Sequence, residues 1–199
     1  MFQGYGFYLA AGLLFVVLAL IGRVMWQGFL SRDAFKEAAD KLGIAWNETE
    51  PFAPGECTGT IDGDTVRIYI EKVGSGSMER QLTAVEVDLV PPLDVEFDIG
   101  KENIITRLFR RAGSHDIEFD DAPFDKVYRI SGQDHVAIRK LFTADVRAAL
   151  VLMSKGSDDL IIRPEMIRWE AGRRVFRSDE LVRVAHAACS AARGMRNAS

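Results

Sequence analysis

Residues 58–72, TGTIDGDTVRIYIEK, decide the fold class. Asp62-Gly63 is a two-residue hairpin signal. The tight turn that matches strand twist needs positive φ at both central positions, which Asp tolerates and Gly adopts freely. Beyond the turn Val66, Ile68 and Ile70 alternate with Arg67, Tyr69 and Glu71. A period of two puts one row against a core and the other outside. Gly74-Ser75-Gly76-Ser77 reads as the next turn. A third strand is expected from Gln81 to Val90, with Val85, Val87 and Leu89 inward and Glu86 and Asp88 outward, ended by Pro91-Pro92. A fourth, from Leu93 to Ile99, turns Leu93, Val95, Phe97 and Ile99 inward and Asp94, Glu96 and Asp98 outward. Such alternation predicts an antiparallel sheet with one covered face.

Helices surround this sheet in the sequence. Ser31 is placed to cap a helix from Arg32 to Leu42, with Phe35, Ala38, Ala39 and Leu42 on one face and Gly43 at the C′ position. Asn47 to Glu56, with two prolines, reads as loop. Lys101 to Ala112 is expected to be a helix striped by Ile104, Ile105, Leu108 and Phe109. A short strand near Asp116–Phe119, an acidic loop and a strand from Lys126 to Ile130 follow. Helices over Gln133–Phe142 and Ala144–Ser154 come next, the second capped by Thr143. Leu160–Ile162 and Met166–Glu170 form a hairpin about Pro164, and Arg173 to Arg177 an edge strand. A last helix, Asp179 to Arg193, is capped by Ser178 and buries Leu181, Val184, Ala185, Ala188 and Ala192.

The N-terminus carries the longest apolar run, GYGFYLAAGLLFVVLALIG from Gly4 to Gly22, nineteen positions without a charge. As a helix it spans about 28 Å, against roughly 30 Å of bilayer hydrocarbon. No Lys or Arg precedes it, and Arg23-Val24-Met25-Trp26 after it is not a small-residue cleavage site, so a retained anchor is favoured over a signal peptide. Tyr5, Tyr8 and Trp26 suit the two interfaces, and Arg23 the headgroups. Arg23, Arg32 and Lys36 on the C-terminal flank place the bulk of the chain in the cytoplasm. Gly6-x-x-x-Ala10 would permit close helix pairing, hence a homodimer. The fold expected is therefore α+β: a single transmembrane helix followed by an antiparallel sheet with helices, in two small lobes. The divisions are a transmembrane anchor over 1–30, a juxtamembrane helix over 31–45, a β-rich acidic lobe over 46–125 and an α/β basic lobe over 126–199.

Composition supports a folded body, with 48% hydrophobic and 27% charged residues. The net charge of −4 hides a division. Residues 33–125 hold 21 acidic and 9 basic side chains, and residues 126–199 hold 8 acidic and 14 basic. The basic residues form no run, so attraction between the halves is the simpler reading, and no nucleic-acid footprint is expected. Cys57 and Cys189, far apart and in no CxxC pattern, read as buried thiols; a disulfide becomes an alternative if the orientation is reversed. The Asn47-Glu48-Thr49 sequon would matter only on an exported domain.

Residues 124–152, FDKVYRISGQDHVAIRKLFTADVRAALVL, resemble an uncharacterised bacterial family of membrane-anchored proteins with a domain of unknown function. Its pattern runs FD-x-x-F-x-V, Asp, Arg, Leu-Leu-Thr and a later Leu pair. Phe124, Asp125, Tyr128, Ile130, Asp134, Arg139, Leu141, Thr143, Leu150 and Leu152 match; Phe142 departs from it. The resemblance implies a bacterial source and an α+β domain, and it implies no activity.

No catalytic, cofactor-binding or metal-ligating set is assigned, and no cofactor is expected. His115, His135 and His186 lack metal-ligand spacing, and neither a phosphate loop nor a nucleophile elbow is present. His115-Asp116 alone resembles the core of a metal phosphohydrolase pair. The unusual constellation is acidic: Glu86, Asp88, Asp94, Glu96 and Asp98 share the outward face of two strands expected to be neighbours, a candidate interaction face. Like charges opposite one another cost stability. Solvation, docking of Arg173, Arg174 or Arg177, or a divalent cation would each relieve it. Three functions follow: a non-enzymatic interaction or accessory module at the bacterial inner membrane meeting an unknown protein partner; a membrane-tethered metal-dependent hydrolase using the acidic face and His115; or an anionic-lipid-binding module using the basic lobe.

Overall fold

The structure, a computed structural model, describes residues 3–49, 53–76, 79–101 and 117–199. Within the first helix, side chains are described at residues 12, 14–20, 22, 23, 26 and 28–42. That helix, α1, runs without interruption over Gln3–Leu42. Among the described residues eight strands follow: β1 (Ala45–Asn47), β2 (Glu56–Ile61), β3 (Asp64–Val73), β4 (Arg80–Asp88), β5 (Asp98–Lys101), β6 (Tyr128–Ser131), β7 (Asp159–Arg163) and β8 (Met166–Ala171). The other helices among the described residues are α2 (Ala122–Asp125), α3 (His135–Leu141), α4 (Ala144–Ser154) and α5 (Ser178–Ala198). The expected helix over 101–112 and the pair His115-Asp116 lie outside the described residues, apart from Lys101, which ends β5. The Gly6-x-x-x-Ala10 pair lies among residues whose side chains are not described.

Six strands form one antiparallel sheet in the order β1-β2-β3-β4-β8-β7; β5 and β6 form a second, two-stranded sheet. The Asp62-Gly63 turn is as its sequence requires, with φ of 52° and 91°, and Ile61 opposite Asp64. Helix α5 packs on β3, β4 and β8, α1 on β1 and β2, and α4 on α5. Val66, Ile68, Val85, Val87, Ile167 and Trp169 on the sheet meet Leu181, Val184, Ala185, Ala188 and Ala192 of α5 in one continuous core. The Trp169 indole N–H donates to Met153 O at 2.8 Å, tying the end of α4 to the sheet. Small residues bring the helices close: a Cβ on Gly194 would stand 2.5 Å from Val146 Cγ2.

Several expectations need correction. The segment from Gly4 to Gly22 is not a separate transmembrane helix joined to a second helix. It is the first half of α1, and among the described residues no helix is long and apolar enough to cross a membrane. The apolar run described side chain by side chain covers residues 14–20, about 10 Å of axis. Beyond it the helix becomes charged and enters the core, where Ala34, Phe35, Ala38 and Ala39 are buried. Ser31 consequently caps nothing; it is buried inside α1, and its hydroxyl donates to Gly28 O at 3.0 Å. The end of α1 is as expected: Gly43 has φ 68°, Gly43 N–H donates to Asp40 O and Ile44 N–H to Ala39 O, the Schellman arrangement.

The two lobes are also one body. Strand β8, from the basic half, lies beside β4, from the acidic half, and both contribute to a single core. Ser178 does not cap α5; its hydroxyl oxygen accepts from Lys41 Nζ at 3.2 Å. Arg173–Arg177 is not an edge strand. It crosses the core side of β4, where Thr83 Oγ1 donates to Arg173 O and accepts from Val175 N. Thr143 and Asp134 do cap α4 and α3 through Val146 N and Ala137 N. Asp121 caps α2 and accepts from Arg147 Nε at 2.8 Å, which holds its carboxyl below the usual carboxylate range.

Both cysteines are buried and unpaired by disulfide. Cys57 Sγ donates to Phe35 O at 3.3 Å. Burial pushes both thiols up to about 12. The thiolate is the reactive form, so a disulfide-exchange reagent at pH 8 is expected to titrate neither thiol in the folded chain and both in guanidinium. Titration of either without unfolding contradicts this burial.

Candidate functional site

The candidate acidic face is not one surface. Glu86 and Asp88 lie on β4, whereas residues 94–97 belong to no strand and Asp98 begins β5, which pairs with β6. The alternation itself holds: Leu93 is buried, Val95, Phe97 and Ile99 pack against the core, and Asp94, Glu96 and Asp98 are exposed. Leu89 N–H and Leu93 N–H donate to Glu165 O and Pro164 O of the β7–β8 turn, so the chain leaves the sheet there rather than folding back on β4. The three exposed carboxylates therefore face solvent. Replacing Asp94, Glu96 and Asp98 together by Asn is expected to change stability by less than about 1 kcal/mol, because screened surface charges contribute little. A thermal shift of several degrees would refute that.

Glu86 is different. It points away from the helices, as expected, but is only 5% exposed, because β4 is central and its neighbours fold over it. Arg67 Nη2, on the facing residue of β3, donates to Glu86 Oε1, and Tyr69 O–H donates to Oε2 at 3.0 Å. From the other side Arg168 of β8 approaches Oε2 at 3.9 Å, donates to Glu71, and lies 2.6 Å from Glu170 Oε1. Its guanidinium sits 5.7 Å from the Tyr69 ring centre. Burial, then the Glu86 hydrogen bond, push the Tyr69 phenol up to about 12. It stays protonated, a donor rather than a base.

The two halves attract as their charges suggest, through other residues than those named. Arg173 pairs with Glu180 of its own half at 2.7 Å, and Arg174 donates to Gln81. Ion pairs that cross include Arg168 to Glu71 and Glu86, Arg193 to Asp62 at 3.0 Å, Arg196 to Asp64, and Arg147 to Asp121 at 2.8 Å. Spacing predicts none of these, since each joins residues well beyond the reach of one helix turn or one hairpin.

A groove of about 810 Å³ adjoins this network, lined by Pro54, Glu56, Arg67, Tyr69, Lys72 and Arg174 among others. A second, of about 490 Å³, holds Lys101 with Asp158, Asp159 and Glu170. Burial lowers the Lys101 ammonium, opposed by the two aspartates, and Lys101 Nζ donates to Ser157 O. Among the described residues no group of three or more His, Cys, Asp or Glu is placed to hold a metal ion. His135 begins α3 and His186 lies exposed on α5.

The second unusual surface is on α1. Leu14, Phe15, Val16, Val17, Leu18 and Leu20 are exposed, Phe15 by 73%. At 3.6 residues per turn, five consecutive positions sweep the whole circumference. Further on, Trp26, Phe29 and Leu30 are exposed at i, i+3, i+4 spacing, one face of the helix. In comparisons with known proteins, no family model matches the chain, and neither does any curated protein or solved structure.

Proposed function

We propose that the chain is a non-enzymatic interaction module held beside a lipid surface, on the cytoplasmic side of a bacterial inner membrane. The observation that carries this reading is the exposure of residues 14–18 of α1. A partner protein docking on one side would cover one stripe of a helix and leave the rest in water. Five successive apolar positions call for surroundings that are apolar on every side, and lipid chains supply that. Arg23, Arg32 and Lys36 follow this arm, the bias that favours the cytoplasmic side.

The folded body supplies the interaction surface. The polar side of β3, β4 and β8 carries a fixed set of charges, Arg67, Glu71, Arg168 and Glu170 around buried Glu86, with a groove beside it. Side chains locked by one another present a charge pattern to a protein partner with little further ordering cost. Flotation tests the lipid part. The full chain is expected to rise with phosphatidylcholine vesicles. Full-length protein left in the supernatant overturns the reading.

A further inference from the structure

The geometry points to a covalent binding site for small hydroxylated aldehydes in the groove of about 490 Å³ at the end of β5, with Lys101 as the amine that forms the imine. The site stands apart from the lipid contact proposed for α1. The chain has seven lysines; six are exposed and Lys101 alone is half-buried. Leu82, buried on β4, gives the groove an apolar wall. The volume falls within the range of small-molecule sites.

The bonding of Lys101 suits a nucleophile. Among the described residues Nζ has one hydrogen-bond partner, the Ser157 carbonyl, to which it donates, and no carboxylate lies within ion-pair distance. Lys41, by contrast, pairs with Asp179 at 2.6 Å and Glu37 at 2.9 Å. A carboxylate stabilises the ammonium against the free amine. A carbonyl accepts from either form, so the neutral amine keeps this bond and still has a lone pair for attack. Burial lowers the Lys101 ammonium, opposed by Asp158 and Asp159. Arg80, in the same groove, is a like charge that works against those two aspartates. Desolvation and a cationic neighbour are the two means by which a lysine is activated.

The lone pair of Nζ attacks the carbonyl carbon, and the C–N bond forms as the C=O π bond breaks. Nitrogen gives up two protons in all, and the carbonyl oxygen leaves with both as water. Amine and aldehyde thus become imine and water, with no oxidant or reductant. The lining selects the aldehyde. Asp158, Asp159 and Glu170 outnumber Arg80, and ionised carboxylates accept hydrogen bonds without donating any. Part of their capacity is used: Asp158 accepts from Gly172 N, Asp159 from Leu160 N at 2.9 Å, and Glu170 lies 2.6 Å from Arg168 Nε. Each carboxylate has about four lone-pair sites. Hydroxyl groups on a ligand therefore find acceptors, whereas an anionic ligand meets like charge.

The test treats the full chain at pH 7, in buffer free of amines, with glycolaldehyde and cyanoborohydride, which fixes each imine as a secondary amine. Labelling is kept low, and peptide mapping by mass spectrometry gives the rate at every lysine. A lowered ammonium gains more in free-amine fraction than it loses in nucleophilicity, as for thiols, so Lys101 is expected to react about fivefold faster than the mean of the other six. In guanidinium the ratio should fall to one. Lys101→Arg keeps a donor for Ser157 O; it should remove the fast site and leave the other six rates as they were. Glyoxylate, with a carboxylate in place of the hydroxymethyl group, should show a smaller ratio. A Lys101 rate no higher than the mean, or a ratio that survives unfolding, overturns the site. A glyoxylate ratio equal to or above that for glycolaldehyde overturns the hydroxyl selection.

Discussion

Trp169→Ala is expected to lower stability by about 4 kcal/mol, the range for deleting a large buried aromatic. The residue is wholly buried on β8, the strand that joins the two halves of the chain. It pairs with Val85 on one side and Leu160 on the other, and its N–H is satisfied by Met153 O. The substitution leaves a cavity between sheet, α4 and α5 and orphans that carbonyl. For a chain of this size 1 kcal/mol corresponds to about 2–4 °C, so the melting temperature should fall by roughly 8–16 °C. Trp169→Phe keeps most of the volume and loses the hydrogen bond, and about half of the loss is expected to return. A fall of only a degree or two in the Ala variant would mean that β8 is not the centre of the core.

The second large effect is at Glu86. Glu86→Ala removes a buried carboxylate facing two guanidiniums and a phenol. Deleting one partner of a buried ion pair costs about 3–5 kcal/mol, because the remaining charge is left uncompensated. About 3 kcal/mol is expected here, since Arg168 keeps Glu71 and Glu170 and Arg67 can turn to solvent. Urea denaturation measures it. Arg168→Met in the same chain should reduce the additional cost of Glu86→Ala, the non-additivity that marks a shared network. Additive losses would show that Arg168 and Glu86 act independently. The network also matters for function, since any partner reading this face meets charges whose positions Glu86 sets.

Both residues show where reading by pattern succeeds and where it stops. Glu86 alternates with Val85 and Val87, and the period of two correctly turns it away from the helices. Alternation reports a side of the sheet, though, and says nothing of what lies over that side. Glu86 is buried because β8 pairs with β4, and that neighbour is about eighty residues away in the chain. The strand expected over residues 93–99 has the right inward residues and the wrong partner, since the ladder from Asp98 is made with β6. Serines 31 and 178 have the composition of caps, but a cap is defined by where the helix starts. α1 runs through Ser31, and Lys41 takes the Ser178 hydroxyl.

The sequence alone determined what rests on neighbours within a few positions. These are the Asp62-Gly63 hairpin, the Gly43 helix end, the Thr143 cap and the apolar face of α5, each a matter of local sterics or of one side chain's affinity for water. Tertiary structure alone decided strand order, the merging of acidic and basic halves into one sheet, and the burial of Glu86 and Asp64. Those contacts depend on loop closure across tens of residues, whose entropy varies only with the logarithm of length; a local pattern carries no record of which distant segment supplies the compensating burial.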